Sequence, residues 1–470
     1  MATGKTTGEA FKEFVELAGL GGELKNAHTS PAPSPAPLCD VVRRLAIYYD
    51  PERGSFWKPD DRDIWIKISE TGIARHLAEA GFDPQKPKGG AISQVGRILN
   101  KIQLSMNVEY AGSLAGYRKG ITEFAGKRLL ILDSPKLIEP VPGDHRIVGT
   151  FLYNLLGNEQ LTYLHGWLKV SIETQRNQSL RPGQALVLTG EKDCGKSLLQ
   201  KLITLLLGGR MAKPYLYMSG QTPFNGNLFR AEHLSIEDEQ PFTDIRSRRN
   251  FGTKIKEITA IDDQNCHFKF RNGLTLPVFW RLTISLNDET ENLLMLPPLD
   301  DSLEDKLTIF KVQKHPMPMP TATDEERKKF YDTLVSELPA YVDFLLNDWT
   351  IPPHLVSQRY GITHYHNPKI LERLGELAPE TRLLQLIDAE IFKPNAPIPR
   401  TAPWEGSGLE LENALRTYPS VVHAQAKELF TWPGACGTYL GRLQKSHPKR
   451  IFYKRTKREG RRWIVNPPSP

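Results

Sequence analysis

The sequence predicts an α/β fold built on a central parallel sheet, and three short β runs carry that prediction. The first run, 185–189, leads into a glycine-rich turn and then into a helical pattern. The second run, 234–236, ends in consecutive acids, and the third, 278–286, ends in an asparagine. Because the carboxyl ends of parallel strands meet at one edge of a sheet, these three strand ends should form one site.

The glycine-rich turn fits the pattern G-x-x-x-x-G-K-[ST] of a phosphate-binding loop, and its helix stops at Gly208. In such a loop, glycines let backbone N–H groups approach phosphates, the lysine contacts the β- and γ-phosphates, and the hydroxyl binds Mg²⁺. The strand and helix on either side argue against a chance match. The turn therefore predicts binding of ATP and Mg²⁺ by Gly190, Asp193, Cys194, Gly195, Lys196 and Ser197.

A phosphate loop also needs a carboxylate near its magnesium ion and a polar group that orients the attacking water. Glu237 and Asp238 follow the second β run, and Asn287 follows the third. We expect Asp238 to hold Mg²⁺ together with Ser197, and Glu237 or Asn287 to orient water. The alternatives are a solvated acidic turn for the two acids and an ordinary turn former for the asparagine.

Length and composition predict a soluble, cytoplasmic chain of about three domains. The 470 residues are 39% hydrophobic and 24% charged. The longest apolar run is far shorter than the ~20 residues of a membrane span, and no signal-peptide pattern opens the sequence. No membrane partner is therefore expected. The four cysteines lack C-x-x-C spacing, which favours free thiols over a zinc site or a disulfide framework.

Proline-rich stretches at 31–37, 315–320 and 393–407 indicate linkers or loops. A capping box at Thr323 and Glu326 predicts a helix running towards residue 348. The predicted divisions are an N-terminal segment with its linker (1–37), an accessory α/β domain (38–145), an ATPase domain (146–320), a helical region (321–400) and a winged-helix domain (401–470). In the accessory domain we expect helices at 41–48, 71–80 and 91–102 and strands at 63–68 and 128–132.

Positive charge is concentrated in the last part of the chain. Ten lysines and arginines against one acid, Glu459, lie from Arg442 onwards, whereas the whole chain carries only +7. Such clustering suits a surface that contacts nucleic-acid phosphates. Helical patterns at 408–416, 421–430 and 436–445 precede two β segments, an order typical of a winged helix. The predicted DNA contacts are Arg442 and Lys445 on the third helix and Lys454, Arg455, Lys457, Arg458, Arg461 and Arg462 on the wing. The alternative is a basic tail that binds nothing specific.

Together these motifs resemble those of the superfamily 3 helicases, the AAA+ motors of small DNA viruses, poxvirus-type primase-helicases and many phages. The loop, the acidic strand and the asparagine-ended strand all lie within 190–287, and 222–225, 255–256 and 280–306 add to the resemblance. The resemblance implies a P-loop AAA+-like ATPase core. It also implies a ring, a hexamer in that family, that unwinds or translocates on single-stranded and forked DNA during replication of a phage, plasmid or mobile element.

The same family carries a positively charged β-hairpin between the acidic strand and the asparagine strand. Here residues 266–273 alternate in type and contain Asn-Gly, which is by itself a strong hairpin signal. His267, Lys269 and Arg271 would then lie on one face and contact a DNA strand. The alternative is an ordinary surface hairpin with a solvated charged face. No primase motif is present, so a primase or polymerase would be a separate partner.

The family also has an arginine after the asparagine strand that reaches the γ-phosphate of a neighbouring subunit. In this sequence Lys306 stands there, and lysine lacks the planar fork of arginine. Either Lys306 supplies the cation, or one of Arg246, Arg248 and Arg249 does. Those three arginines could equally form a solvated helix face.

Two other functions remain open from the sequence. A DNA-binding initiator or regulatory ATPase switch would bind DNA and hydrolyse ATP slowly without releasing a strand. A small-molecule kinase would use the same loop, but it would leave the hairpin and the basic C-terminal segment without a role. Strand displacement distinguishes the first from a helicase, and turnover that is insensitive to DNA would mark the second.

Overall fold

A computed structural model describes residues 38–89, 92–179, 181–237, 239, 245–259, 263–267, 273–393, 400–417, 420–456 and 460–468. The chain divides into two compact units, one of residues up to 135 with 269–276 and one of the remaining residues from 136 onwards. Within the described ranges, the helices are too short or too polar to cross a membrane.

Among its described residues, the first unit contains two three-stranded sheets, three helices and the short strand Leu274–Leu276. Apolar side chains of the helices pack around Phe56 in a shared core. The helices and strands predicted for this region are found within a few residues of their expected places, whereas β1, β2, β4 and β5 were not predicted. The elements are α1 (Leu38–Leu45), β1 (Tyr48–Asp50), β2 (Ser55–Pro59), β3 (Trp65–Ile68), α2 (Glu70–Glu79), α3 (Gln94–Ser105), β4 (Tyr110–Gly112), β5 (Gly120–Phe124) and β6 (Lys127–Ile131).

The second unit begins with α4 (Arg146–Arg176), which is interrupted at Gly157. The backbone there has φ 68° and ψ 171°, a conformation that is essentially restricted to glycine. The element is therefore two helices joined end to end. Its apolar side chains belong to a hydrophobic cluster that also includes Leu186 and Leu188 of the first sheet strand.

Five parallel strands form the central sheet of the second unit, in the order β13-β7-β12-β9-β8. The interior strands are buried along nearly their whole length, as expected for a parallel sheet covered on both faces. The elements from 185 to 311, of which only β11 belongs to the first unit, are β7 (Ala185–Gly190), α5 (Lys196–Leu206), β8 (Met211–Ala212), α6 (Tyr215–Met218), β9 (His233–Glu237), α7 (Ile245–Thr259), β10 (Gln264–Cys266), β11 (Leu274–Leu276), β12 (Arg281–Asn287), α8 (Thr290–Leu293) and β13 (Leu307–Lys311).

The helix that follows the sheet, α9 (Asp324–Asp343), begins at the predicted capping box. The Thr323 hydroxyl accepts a bond from the backbone N–H of Glu326, and the Glu326 carboxylate accepts one from the backbone N–H of Thr323. A π-helical turn, Phe344–Asp348, extends it to the predicted end. After it come β14 (Val356–Ser357), β15 (Gly361–Ile362) and α10 (Pro368–Glu376), and residues 136–376 are called the central-sheet core below.

Residues 379–468, called the C-terminal module below, have a hydrophobic core of their own around Trp463, Tyr439 and Leu411. Three helices precede a pair of strands as predicted, but β16 lies inside a predicted loop. Strand β18 pairs antiparallel with both β16 and β17. The elements are α11 (Pro379–Ile387), β16 (Trp404–Gly406), α12 (Gly408–Arg416), α13 (His423–Leu429), α14 (Ala435–Ser446), β17 (Ile451–Thr456) and β18 (Gly460–Val465).

Candidate functional site

The carboxyl ends of β7, β12 and β9 lie side by side at one edge of the central sheet. Asn287 is in register with Gly190 on β7, and Ser285 is in register with Glu237 on β9. The sequence prediction that the three strand ends meet is therefore confirmed. Asp238, the predicted magnesium ligand, lies outside the described residues.

The loop between β7 and α5 depends on two of its glycines. A side-chain carbon at Gly190 would lie 2.5 Å from the carbonyl oxygen of Val312, so no larger residue fits there. Gly195 precedes α5 with φ 104°, a left-handed conformation that glycine adopts without strain. Among the described residues, no side chain caps the N-terminus of α5. Its first N–H groups are thus available to an anion.

Lys196, the loop lysine, is almost fully buried at this strand edge. Its Nζ donates to the carbonyl oxygens of Gly190 (2.8 Å) and Glu191 (2.7 Å) and to Oδ1 of Asn287 (3.2 Å). These three oxygens are neutral, and no carboxylate of the described chain pairs with the ammonium. Its positive charge therefore stays available for a phosphate oxygen.

A buried polar network joins the phosphate-loop helix to the two neighbouring strands. Gln200 on α5 donates to Oγ1 of Thr283 on β12 at 2.8 Å and to the carbonyl oxygen of Ile236 on β9 at 3.2 Å. Nε2 of His233 lies 2.8 Å from the same Thr283 hydroxyl. Burial lowers the pKa of His233 to about 3, so this histidine is neutral at physiological pH. The network fixes α5 relative to the strand ends.

A cleft of about 930 Å³ opens in front of the loop, between α5, Asn287 and the first half of α9. Met317 forms part of its wall and lies 3.4 Å from the position of a side-chain carbon on Gly195. The capping box predicted where α9 starts. No local signal in the sequence indicated that α9 packs over the phosphate loop. The lining residues that the sequence did not predict are Lys192, Leu198, Lys201, Met317, Thr321, Arg327, Lys328, Phe330 and Tyr331.

The segment leading into the predicted hairpin is held by Asn225. Its buried side chain donates from Nδ2 to the carbonyl oxygen of Asn265 (2.9 Å) and accepts from the backbone N–H of His267 (2.7 Å). The side chain of His267 is exposed. Lys269 and Arg271, at the predicted hairpin tip, lie outside the described residues.

Two of the three arginines at the start of α7 pack against other segments of the chain. Arg248 is buried, its Nε donates to the carbonyl oxygen of Leu296 (3.0 Å), and burial lowers its pKa to about 10. The guanidinium of Arg249 lies 4.5 Å from the ring centre of Trp432. A solvated helix face, the alternative that the sequence left open, therefore does not describe these two, because other segments pack on them. Arg246 is exposed.

Lys306 precedes β13, and its Nζ lies 2.8 Å from Oδ1 of Asp305. The other carboxylate oxygen of Asp305 lies 3.2 Å from Nη1 of Arg359, a half-exposed arginine that the sequence did not single out. Because β13 runs parallel to β7, this pair of cations lies at the opposite edge of the sheet from Gly190. Neither cation is therefore placed beside its own chain's phosphate loop.

The strand pair β17–β18 carries exposed cations beside aromatic rings. The guanidinium of Arg461 lies 4.3 Å from the ring centre of Tyr453, and the exposed Lys454 stands opposite Arg462. Arg462 forms an ion pair with Glu405 at 3.5 Å. Of the other predicted wing residues, Arg455 lies in β17 and Lys457 and Arg458 lie outside the described residues.

The basic residues of α14 face a cavity that the central-sheet core also lines. Arg442 is half-buried and pairs with Glu380 on α11 at 3.4 Å. Lys445 is exposed and lines the same cavity. The expected placement of these residues on a helix that approaches a DNA groove thus remains a prediction.

An apo structure of the NrS-1 C-terminal region matches this chain with a TM-score of 0.53 and 14% identity, over 91% of this chain and 98% of that one. The two chains share a fold. A second apo structure of that region matches with a TM-score of 0.51 at 14% identity, with the same coverage.

Two helicase structures match more distantly. A JCV helicase has a TM-score of 0.26 at 15% identity, over 50% of this chain and 59% of that one. SCCmec type IV Cch, described as an active helicase, has a TM-score of 0.29 at 12% identity, over 86% and 73% of the two chains. No protein-family model and no curated protein matches the sequence.

Proposed function

We propose that this protein is an ATP-dependent DNA helicase or translocase that works as a ring in the replication of a phage, plasmid or mobile element. The observation that carries the proposal is the hydrogen bond from Lys196, at the start of α5, to Asn287, at the end of β12. Strand β12 lies beside β9, which ends at Glu237. This arrangement brings a cation, an amide and a carboxylate to the N-terminus of α5. Phosphoryl transfer needs such a set because its catalysis is mainly positioning and charge stabilisation.

The residues at this edge fit a magnesium-bound triphosphate. Glycine occupies the two loop positions, Gly190 and Gly195, where a side chain would clash or strain the backbone. In the described part of the chain, the Lys196 ammonium has neutral partners that phosphate oxygens can replace. When bound, Mg·ATP supplies the transferable phosphoryl group and a cation that offsets its charge. Ser197 at the start of α5 and Asp238 after β9 would hold the metal ion.

In this proposal, Asn287 and Glu237 would position the attacking water. The amide of Asn287 is neutral, so it can approach the terminal phosphate without charge repulsion. The Glu237 carboxylate accepts a bond from the hydroxyl of Ser235 at 3.3 Å, which orients it at the strand end. Within hydrogen-bonding reach of water, this carboxylate would act as the general base.

We further propose that the cation completing the site comes from a neighbouring subunit, and that Arg359 supplies it. Arg359 is half-exposed, whereas the Lys306 side chain is only 12% exposed. Arginine also offers the planar fork that suits phosphate oxygens. Both cations lie at the sheet edge opposite the phosphate loop, which favours action across an interface over action within one chain.

Nucleic acid would contact two surfaces in this proposal. One is the predicted hairpin with Lys269 and Arg271. The other is the C-terminal module, which we propose is a winged helix because three helices precede an antiparallel strand pair. On that pair, Lys454 and Arg461 are exposed and can contact phosphates, and the ring of Tyr453 adds a stacking surface.

The test is ATP hydrolysis with and without single-stranded DNA, followed by strand displacement on a forked duplex. Lys196→Ala should lower DNA-stimulated hydrolysis about 10²-fold or more, because it removes the charge at the loop. Lys427→Ala, an exposed lysine on α13, is the matched control and should hydrolyse ATP normally. Hydrolysis that survives Lys196→Ala would refute the site. Hydrolysis without strand release would instead favour an initiator or regulatory switch.

A further inference from the structure

A second cavity, of about 710 Å³, lies between α7 of the central-sheet core and α14 of the C-terminal module. Four cations among its described lining residues come from both parts of the chain, with Arg249 and Lys256 on α7 and Arg442 and Lys445 on α14. The carboxylates that line it belong to Asp300, Asp301 and Glu380. Within this described lining, the positive charges therefore exceed the negative charges by one.

Two of the acids are already neutralised by two of the cations. Nζ of Lys256 lies 3.8 Å from Oδ1 of Asp300, and Nη1 of Arg442 lies 3.4 Å from Oε2 of Glu380. Asp301 is exposed to solvent. Within the described part of the chain, Arg249 and Lys445 form no ion pair, so their charges are the ones available to a ligand.

The guanidinium of Arg249 is oriented but incompletely satisfied. It lies over the Trp432 ring, and its Nη2 is buried without a hydrogen-bond partner among the described residues. Arg249 also lines the cavity, so an oxygen ligand bound there can accept a hydrogen bond from its guanidinium. The planar arginine fork is suited to phosphate oxygens in particular.

We propose that this cavity binds one phosphodiester of a nucleic-acid strand, held by Arg249 from the core side and by Lys445 from the module side. A phosphodiester carries one negative charge, which matches the single excess positive charge of the lining. Free polyphosphates carry more charge than the lining can offset. The inference rests on the nucleic-acid binding of the proposed function. In it, α14 and the central-sheet core hold the same phosphodiester.

The test measures equilibrium binding of a fluorescent single-stranded oligonucleotide between 50 and 200 mM salt, without nucleotide. Losing one phosphate contact lowers the slope of log affinity against log salt by about 0.7 for a single strand. The double variant Arg249→Gln/Lys445→Gln should lose about that much. Lys427→Gln, which removes one charge from an exposed site on α13, should keep the wild-type slope.

Arg249→Gln also removes packing on Trp432, so the double variant could lose binding for a structural reason. The single variant Lys445→Gln is therefore tested as well, because this lysine is exposed. This variant should weaken binding several-fold at low salt. A wild-type slope in the double variant, or an equal loss in Lys427→Gln, would overturn the proposal. The proposal would also be overturned if the double variant lost binding of pyrophosphate but kept the wild-type salt slope for the oligonucleotide. Absence of ATP hydrolysis by the wild-type protein would instead refute the proposed function and leave this binding measurement valid.

Discussion

The contact between Lys196 and Asn287 gives each partner a separate, testable contribution. Asn287→Asp would place a carboxylate 3 Å or so from the ammonium and neutralise the charge that phosphate needs. We expect KM for ATP to rise about tenfold. Asn287→Ala adds no charge, so KM should stay near the wild-type value while kcat falls about 10²-fold or more, as for lost transition-state donors.

Steady-state ATPase measurements that separate kcat from KM distinguish these two effects. The alanine variant serves as the control for the aspartate variant, because both remove the amide. If both variants change KM to the same extent, the ion-pair argument fails. If kcat survives in the alanine variant, Asn287 does not position water.

At the level of single residues, the sequence identified what is local and missed what depends on packing. The loop residues from Gly190 to Ser197 were predicted because their chemistry lies in consecutive positions. Arg359 and Tyr331 were missed, since only the folding of distant segments brings Arg359 beside Asp305 and Tyr331 to the cleft in front of the loop. For the same reason the burial of Arg248 could not be predicted, because Leu296 accepts its hydrogen bond from 48 residues away.

The break in α4 makes a prediction about a single element. At Gly157 the positive φ would strain any L side chain, so Gly157→Ala should destabilise the fold by about 1–3 kcal/mol. Gly149 lies in the same element, and a side-chain carbon there would meet only His145 at 3.9 Å. Gly149→Ala should therefore stabilise the helix by up to about 1 kcal/mol.

Chemical denaturation of the two variants beside the wild-type protein measures both effects. Opposite shifts of the unfolding midpoint are expected, with unchanged slopes. Equal stability of the two variants would mean that α4 can become continuous at Gly157. That result would remove the argument that this element is two helices.

Elements with strong local signals were predicted more accurately than short strands. The capping box at Thr323 placed the start of α9, because both of its hydrogen bonds form within four residues. Strands such as β4 and β16 have three residues each, which is too short for an alternating pattern. They exist because β6 and β18 offer backbone partners, a long-range property that no local segment encodes.

For the whole molecule, the central sheet separates the two halves of the proposed catalytic site. Gly190 lies at the carboxyl edge, and Arg359 lies beside Asp305 at the amino edge. A ring of identical chains with head-to-tail contacts could bring one edge against the other edge of the next chain. The nucleotide site of one chain would then be complete only in the assembly.

Mixing two inactive variants tests this arrangement. Lys196→Ala lacks the loop charge, and Arg359→Ala lacks the proposed trans-acting cation, so each alone should hydrolyse ATP at least about 10²-fold more slowly than the wild-type protein. In mixed rings, some interfaces pair an intact loop with an intact Arg359, and activity should recover to about a quarter of the wild-type rate at equal amounts. Lys196→Ala mixed with Asn287→Ala should not recover, because both defects then affect the same chain's loop edge. If Lys196→Ala recovers activity when mixed with Lys306→Ala but not with Arg359→Ala, the cation is Lys306. If it recovers with neither, the site is not shared between chains.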